Sequence, residues 1–103
     1  MKIYSSNWLS SDAVCKLLYR ILGKDLWLYC KANFGYGHEF YYVKVLSEIS
    51  HNTFKVLYCG HIDGVPIQIN VRQAHVRAED IKVRGGAPEV YTSEELSEIR
   101  GDE

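Results

Sequence analysis

The chain has 103 residues, which is enough to bury one hydrophobic core and too few for two. Apolar residues make up 47% of it and charged residues 24%, close to the averages for folded soluble domains, which excludes disordered and fibrous classes. Dedicated nucleic-acid binders carry a high positive charge, and the formal net charge of -1 argues against that class of protein.

Charge is distributed unevenly along the chain. Residues 1–84 contain 11 Lys and Arg against 7 Asp and Glu, a net +4, whereas residues 85–103 contain 1 against 6, a net -5. A mildly basic body suits an anionic partner, and an acidic tail favours solubility. We predict one barrel domain over residues 1–84, and an acidic linker with a short helix over residues 85–103.

Apolar runs and cysteines bear on the cellular compartment. No apolar run reaches the roughly 18 residues that span a bilayer, and MKIYSSNWLSS lacks the apolar stretch of a signal peptide. We therefore expect a cytoplasmic protein without membrane contact. Cys15, Cys30 and Cys59 are odd in number and far apart, which predicts reduced thiols rather than a disulfide framework.

The first predicted element is an amphipathic helix over residues 10–22. Its apolar residues recur at helical spacing, forming one stripe of Val14, Leu17, Leu18, Ile21 and Leu22. Ser10 or Ser11 can cap the first turn, and Gly23 can close the last one.

After Gly23 the apolar residues recur at every second position instead of at helical spacing, which predicts strands over residues 26–32, 40–49 and 53–58. Turn residues at 50–52 predict a hairpin between the second and third strands. Alternation assigns Leu28, Cys30, Tyr41 and Val43 to the inner face. It assigns Trp27, Tyr29, Lys31, Tyr42 and Lys44 to the opposite face.

The remaining segments are shorter. Asp63 and Gly64 predict a tight turn, and alternation over residues 67–72 predicts a fourth strand. A last strand is predicted over residues 76–83, interrupted by a turn at Ala-Glu-Asp. The capping-box spacing of Thr92 and Glu95 predicts a short C-terminal helix.

Many short strands with tight turns predict a mainly β fold, a small antiparallel barrel that closes to hide its edges. The helix over residues 10–22 then plugs one end of the barrel or lies against the sheet.

The segments DLWLYCKA, EFYYVKVLSEI, HNTFKVLYCG and VRAEDIKV resemble the Tudor and SH3-like small-barrel pattern. The resemblance covers residues 26–83 and includes a loop rich in glycine and aromatic residues. The chain departs from the pattern in HIDGVPIQINVRQAH, where a Tudor domain has a shorter connection. It also lacks the acidic motif that often follows the third strand in that family.

The resemblance implies an aromatic cage for a methylated ammonium, held by cation–π attraction. The matching positions are Trp27 or Tyr29, Phe34 or Tyr36, Tyr41 and Tyr58. Filling of the barrel core is the alternative role of the same rings.

We expect a non-catalytic binding module, an interaction domain or an inhibitor of a partner protein. Its predicted ligand-binding residues form an exposed aromatic face of Trp27, Tyr29, Phe34, Tyr36, Tyr41, Tyr42 and Tyr58. Exposed rings also make a symmetric homodimer a reasonable expectation.

Two alternative functions stay open. Single-stranded nucleic acid could stack on Trp27 and Tyr29, with Lys31, Lys44 and Arg72 contacting phosphates. A thiol or metal site could form around Cys59 and His61, although no paired metal-ligand spacing occurs. We predict no catalytic residue, no metal and no cofactor.

Overall fold

The computed structural model describes residues 7–99 of the chain. Its helices and strands, in chain order, are α1 (Ser11–Ile21), β1 (Trp27–Asn33), β2 (His38–Ser50), β3 (Thr53–Cys59), β4 (His61–Ile62), β5 (Val65–Pro66), β6 (Arg72–Arg77), β7 (Ile81–Lys82), β8 (Val90–Tyr91) and α2 (Ser93–Glu98). Two 3-10 turns, Gln68–Asn70 and Ala78–Asp80, precede β6 and β7. The fold is mainly β, as predicted.

Helix α1 forms where the apolar stripe predicted it. The Ser10 hydroxyl accepts a hydrogen bond from the backbone N–H of Ala13, so the cap is the predicted one. At the other end the backbone N–H of Gly23 donates to the carbonyl of Val45 at 3.0 Å, which ties the end of the helix to β2. The stripe residues Val14, Leu17, Leu18 and Ile21 are all buried.

One antiparallel sheet forms the centre of the molecule, with strands in the order β6-β3-β2-β1-β7. Strand β8 also pairs with β1, beside β7 and on the same edge. The predicted β2–β3 hairpin is confirmed, and its turn passes through Asn52 in the left-handed conformation, which asparagine tolerates.

The prediction of a closed barrel is wrong. Within residues 7–99 the edge strands β6 and β7 do not pair with each other, so the sheet is open. The physical reason is the position of α1, which packs on β2, on β7 and on the 3-10 turn between the two edges. The helix therefore covers the apolar residues of that face. In a closed barrel the same residues would be enclosed by the sheet itself.

The fourth strand predicted over residues 67–72 is also wrong. Asp63 and Gly64 do form a two-residue turn, but it joins β4 to β5 in a small separate hairpin. Ile67 closes the base of this hairpin by donating its N–H to Gly60, and the chain then turns through the 3-10 segment. Strand β3 already pairs with β6 from Arg72 onward, so residues 67–71 have no strand to pair with.

The sheet has a hydrophobic core on each face. Helix α1 covers the larger core, which includes Leu28, Val43, Val45, Phe54 and Val56. The smaller core lies on the opposite face and consists of Trp27, Tyr42, Cys59 and Leu96, with Leu96 supplied by α2.

The C-terminal helix starts at the predicted position, with both hydrogen bonds of the Thr92 and Glu95 capping box present. A helix of six residues is marginal in isolation, so α2 depends on its packing against the sheet. The hydroxyl of Ser93 attaches it by donating to Asp25 and by accepting from the indole N–H of Trp27.

Candidate ligand-binding pocket

The seven predicted ligand-binding residues do not form one surface. Trp27, Tyr29 and Tyr42 lie on the face of the sheet that α2 covers. Phe34, Tyr41 and Tyr58 pack against the edge of the core on the α1 face. Tyr36 belongs to the loop between β1 and β2 and is 84% exposed.

The rings under α2 are structural. Trp27 is 7% exposed and Tyr42 is 3% exposed, so a ligand could reach them only by displacing α2 and the β4–β5 hairpin. The hydroxyl of Tyr42 donates to the carbonyl of Gly64 in that hairpin, and burial raises the pKa of Tyr42. These contacts hold the hairpin and the sheet together.

Tyr29 belongs to a stack of rings that cover one another. Its ring stacks on Phe40 at 5.1 Å, and Phe40 stacks in turn on Trp8 at 6.3 Å. Lys31 lies 5.8 Å from the ring centre of Trp8, and Arg84 lies 5.2 Å from that of Phe40. The cations and rings of this surface are therefore already in contact with each other.

The second group of rings is compact and lies beside a cavity. Phe34 stacks on Tyr58 with 3.9 Å between ring centres and 8° between planes. Tyr41 meets both rings edge to face, at 5.0 Å from Phe34 and 5.3 Å from Tyr58. The cavity has a volume of about 340 Å³ and is lined by Tyr36, Tyr41, Tyr58, Gly60, Ile67, Asn70 and Arg72. We call it the aromatic pocket.

The sequence builds this pocket from two loops and the end of the sheet that α1 does not cover. Gly35 and Gly37 both have positive φ angles, 109° and 86°, which lets the β1–β2 loop fold tightly and direct Tyr36 toward solvent. On the other side, the 3-10 turn Gln68–Asn70 contributes Asn70.

The electrostatics of the aromatic pocket are simple. Arg72 lies directly opposite Tyr58 in the β3–β6 pairing and is the only charged residue in the lining among the residues that the structure describes. Within residues 7–99 Arg72 makes no ion pair. Burial raises the pKa of Tyr41, so this hydroxyl stays neutral at physiological pH. The pocket offers ring faces, an amide and an unpaired guanidinium.

Sequence reasoning missed Ile67 and Asn70 as lining residues, because their alternation suggested a strand. Pro66, just before them, was the signal that could have corrected the strand prediction, since proline has no backbone N–H to donate to a neighbouring strand.

The three cations predicted to contact nucleic acid do not meet. Lys44 forms an ion pair with Asp25 at 3.1 Å and lies 5.8 Å from the ring centre of Trp27. Lys31 and Lys44 are on the face opposite to Arg72. The structure thus separates the predicted nucleic-acid residues into two surfaces.

Cys59 and His61 are close in the chain but differ in environment. Cys59 is buried, and burial raises the pKa of its thiol, which disfavours the thiolate. His61 accepts a hydrogen bond at Nδ1 from Gly64, so in the neutral ring Nε2 carries the proton that faces the Tyr29 hydroxyl. In the part of the chain described, no three His, Cys, Asp or Glu side chains are placed to hold a metal ion.

A second cavity, of about 620 Å³, lies at the other end of β6 and was not predicted. Its lining includes Cys15, His51, Asn52 and Arg77. The thiol of Cys15 donates to the side-chain oxygen of Asn52 at 3.1 Å, and Arg77 pairs with Glu79 at 3.4 Å. No Phe, Tyr or Trp of the described part of the chain lines this polar cleft.

Comparison with family models, with curated proteins and with solved structures finds no match for this chain. From residue 7 to residue 99, no helix has the length and apolar character needed to cross a bilayer.

Proposed function

We propose that this chain is a non-catalytic binding domain that captures a peptide segment of a partner protein in the aromatic pocket. One observation carries the proposal. Tyr41 and Tyr58, which pack against each other and against Phe34, line a cavity beside Arg72, and Arg72 makes no ion pair within residues 7–99. The cavity volume of about 340 Å³ lies at the lower end of the range for ligand pockets and is large enough for one or two side chains of a peptide.

The surroundings of the pocket support a protein partner. Tyr36 is 84% exposed and Ile69 is 90% exposed, and Val71 is also exposed. These residues belong to the two loops that form the pocket, so they give it an apolar rim. Burial of a large apolar side chain contributes roughly 1.5–3 kcal/mol, so binding of a partner that covers several of these residues is favourable.

We also propose that the fold is related to the Tudor and SH3-like barrels, in an open form. In support, the acidic Glu79-Asp80 pair before Ile81 belongs to the 3-10 turn between β6 and β7, where the resemblance places a closing turn. A methylated ammonium is nevertheless a poorer occupant than a peptide, because Arg72 carries like charge and no carboxylate from residues 7–99 lines the pocket.

The test is an NMR titration of the isotope-labelled chain with a library of short peptides, followed by affinity measurement for the best binder. We expect backbone resonances of residues 34–41 and 58–72 to shift. Tyr36→Ala should weaken binding about tenfold without loss of stability, since its side chain is exposed. Ile49→Ala is the matched control, an exposed apolar residue away from the pocket lining, and should bind normally.

Single-stranded nucleic acid is the second candidate, favoured by the partly exposed Trp8 with Lys31 beside it. Titration with a fluorescent oligonucleotide at two salt concentrations distinguishes the two functions. Salt-sensitive binding of the oligonucleotide, with no peptide response at the aromatic pocket, would replace the peptide proposal by this one.

A further inference from the structure

Strand β6 is an open edge of the sheet. It pairs with β3 on one side only, and within residues 7–99 its backbone forms no hydrogen bond outside that pairing. In an antiparallel pair every second residue directs its N–H and C=O away from the neighbouring strand. These outward groups can accept an additional strand, which is a recurrent mode of peptide recognition.

The charges of β6 are all of one sign. Its sequence RQAHVR contains two arginines and one histidine and no acidic residue. Arg72 has no ion pair among the described residues, and the pair between Arg77 and Glu79 is solvent-exposed and therefore weak. Separate carboxylates of a partner can therefore engage the two arginines at little cost.

The aromatic pocket and the polar cleft lie at the two ends of this strand. Arg72 lines the aromatic pocket at the start of β6, and Arg77 lines the polar cleft at its end. Six strand residues span about 17 Å at roughly 3.3 Å per step, so one extended peptide can reach both cavities.

We propose that the ligand is an acidic, extended peptide that adds to β6 as an antiparallel strand and inserts an apolar side chain into the aromatic pocket. This inference rests on the proposed function, because it uses the same pocket. Antiparallel addition places the C-terminal end of the peptide at Arg72, so the apolar residue lies near that end. His75 and Arg77 lie on one face of β6 and Arg72 lies on the other, so acidic residues on both faces of the peptide have a basic residue across the new pair of strands.

The probe is a fluorescein-labelled peptide of about eight residues in extended form, with glutamates on both faces, threonines between them and one phenylalanine next to its C-terminus. Two further peptides carry backbone N-methyl groups, one at odd and one at even positions. Strand addition requires the N–H groups of one set only. We expect one N-methylated peptide to lose binding more than about tenfold and the other to bind within about threefold of the parent.

Variants of the protein test the contribution of the β6 charges to binding, and a peptide of reversed sequence tests the direction of the added strand. Arg72→Gln should weaken the parent peptide by about fivefold to tenfold, and raising the salt concentration should weaken it further. Arg20→Gln, an exposed arginine on α1, is the matched control and should have no effect. A peptide of reversed sequence, with phenylalanine near its N-terminus, should bind at least about fivefold less tightly.

The outcomes separate this inference from the proposed function. Equal binding of both N-methylated peptides, with Tyr36→Ala still weakening them, would overturn strand addition and leave the pocket proposal intact. If the acidic peptide does not bind while neutral peptides shift the pocket resonances, the proposal that the ligand is acidic would be overturned. Absence of any peptide response at the pocket would overturn both, and β6 charges would then serve only to protect the edge from aggregation.

Discussion

At the scale of single residues, similar aromatic side chains have different roles because of what covers them. Tyr42 and Tyr36 lie six positions apart, yet Tyr42 is buried beneath the β4–β5 hairpin and Tyr36 extends into solvent. The buried hydroxyl must donate a hydrogen bond, and it does so to Gly64. The exposed ring is free to contact a ligand.

Tyr42→Phe should lower the free energy of unfolding by about 1 kcal/mol at neutral pH, because the carbonyl of Gly64 loses its donor. Burial raises the pKa of Tyr42 in the folded state, so the folded protein retains this proton longer than the unfolded chain. The stability from Tyr42 is therefore complete below its unfolded pKa of about 10 and is lost as the pH rises above it.

Urea denaturation at neutral pH and near pH 11 checks this prediction. The difference between wild type and Tyr42→Phe should shrink at the higher pH. Cys30 and Tyr91, each with a pKa raised to about 12 mainly by burial, destabilise both proteins alike and cancel in the comparison. A difference that is the same at both pH values would show that Tyr42 does not titrate on unfolding.

At the scale of elements, α2 is a short helix that depends on tertiary contacts. Its capping box sets where it begins, but its six residues retain helical structure because Leu96 inserts beside Trp27 and Tyr42. The spacing of Thr92 and Glu95 was sufficient to predict the helix from sequence. The surface that receives it could not be predicted, since Trp27 and Tyr42 are more than fifty residues away in the chain.

Leu96→Ala should lower the free energy of unfolding by about 2–4 kcal/mol, because it leaves a cavity in the smaller core. In a Trp8→Phe background the emission of Trp27 should shift to longer wavelength as its cover loosens. Glu98→Ala, an exposed change in the same helix, should stay within about 0.5 kcal/mol of wild type. A loss below about 1 kcal/mol for Leu96→Ala would mean that α2 contributes little to the smaller core.

At the scale of the whole molecule, the two cores share one sheet. Strand β1 directs Leu28 and Cys30 into the larger core and Trp27 into the smaller one. Loss of either core removes support from the same strand. The two helices on opposite faces are therefore coupled through the sheet, although they do not follow each other in the chain.

We expect residues 7–99 to unfold in one cooperative transition. Far-ultraviolet circular dichroism, which follows all elements, and Trp27 fluorescence, which follows the smaller core, should have the same urea midpoint. The Trp8→Phe variant again isolates the fluorescence of Trp27. Release of α2 at a lower urea concentration than the main transition would contradict the coupling.

Local features of this protein could be determined from its sequence by itself. The period of α1, its serine cap, the three main strands and the turn at Ala78–Asp80 all follow from residues close together in the chain. The rings Tyr36, Tyr41 and Tyr58, which line the aromatic pocket, could also be identified from the sequence, because this depends on composition and strand ends.

Only the tertiary structure decided which rings meet and whether the sheet closes. Both outcomes depend on the positions of α1 and α2, each of which covers one face of a sheet built from distant segments. Periodicity assigns a side chain to a face but not to a covered or uncovered part of it. Trp27 was therefore grouped with the exposed rings by its sequence pattern, and packing by α2 placed it in a core.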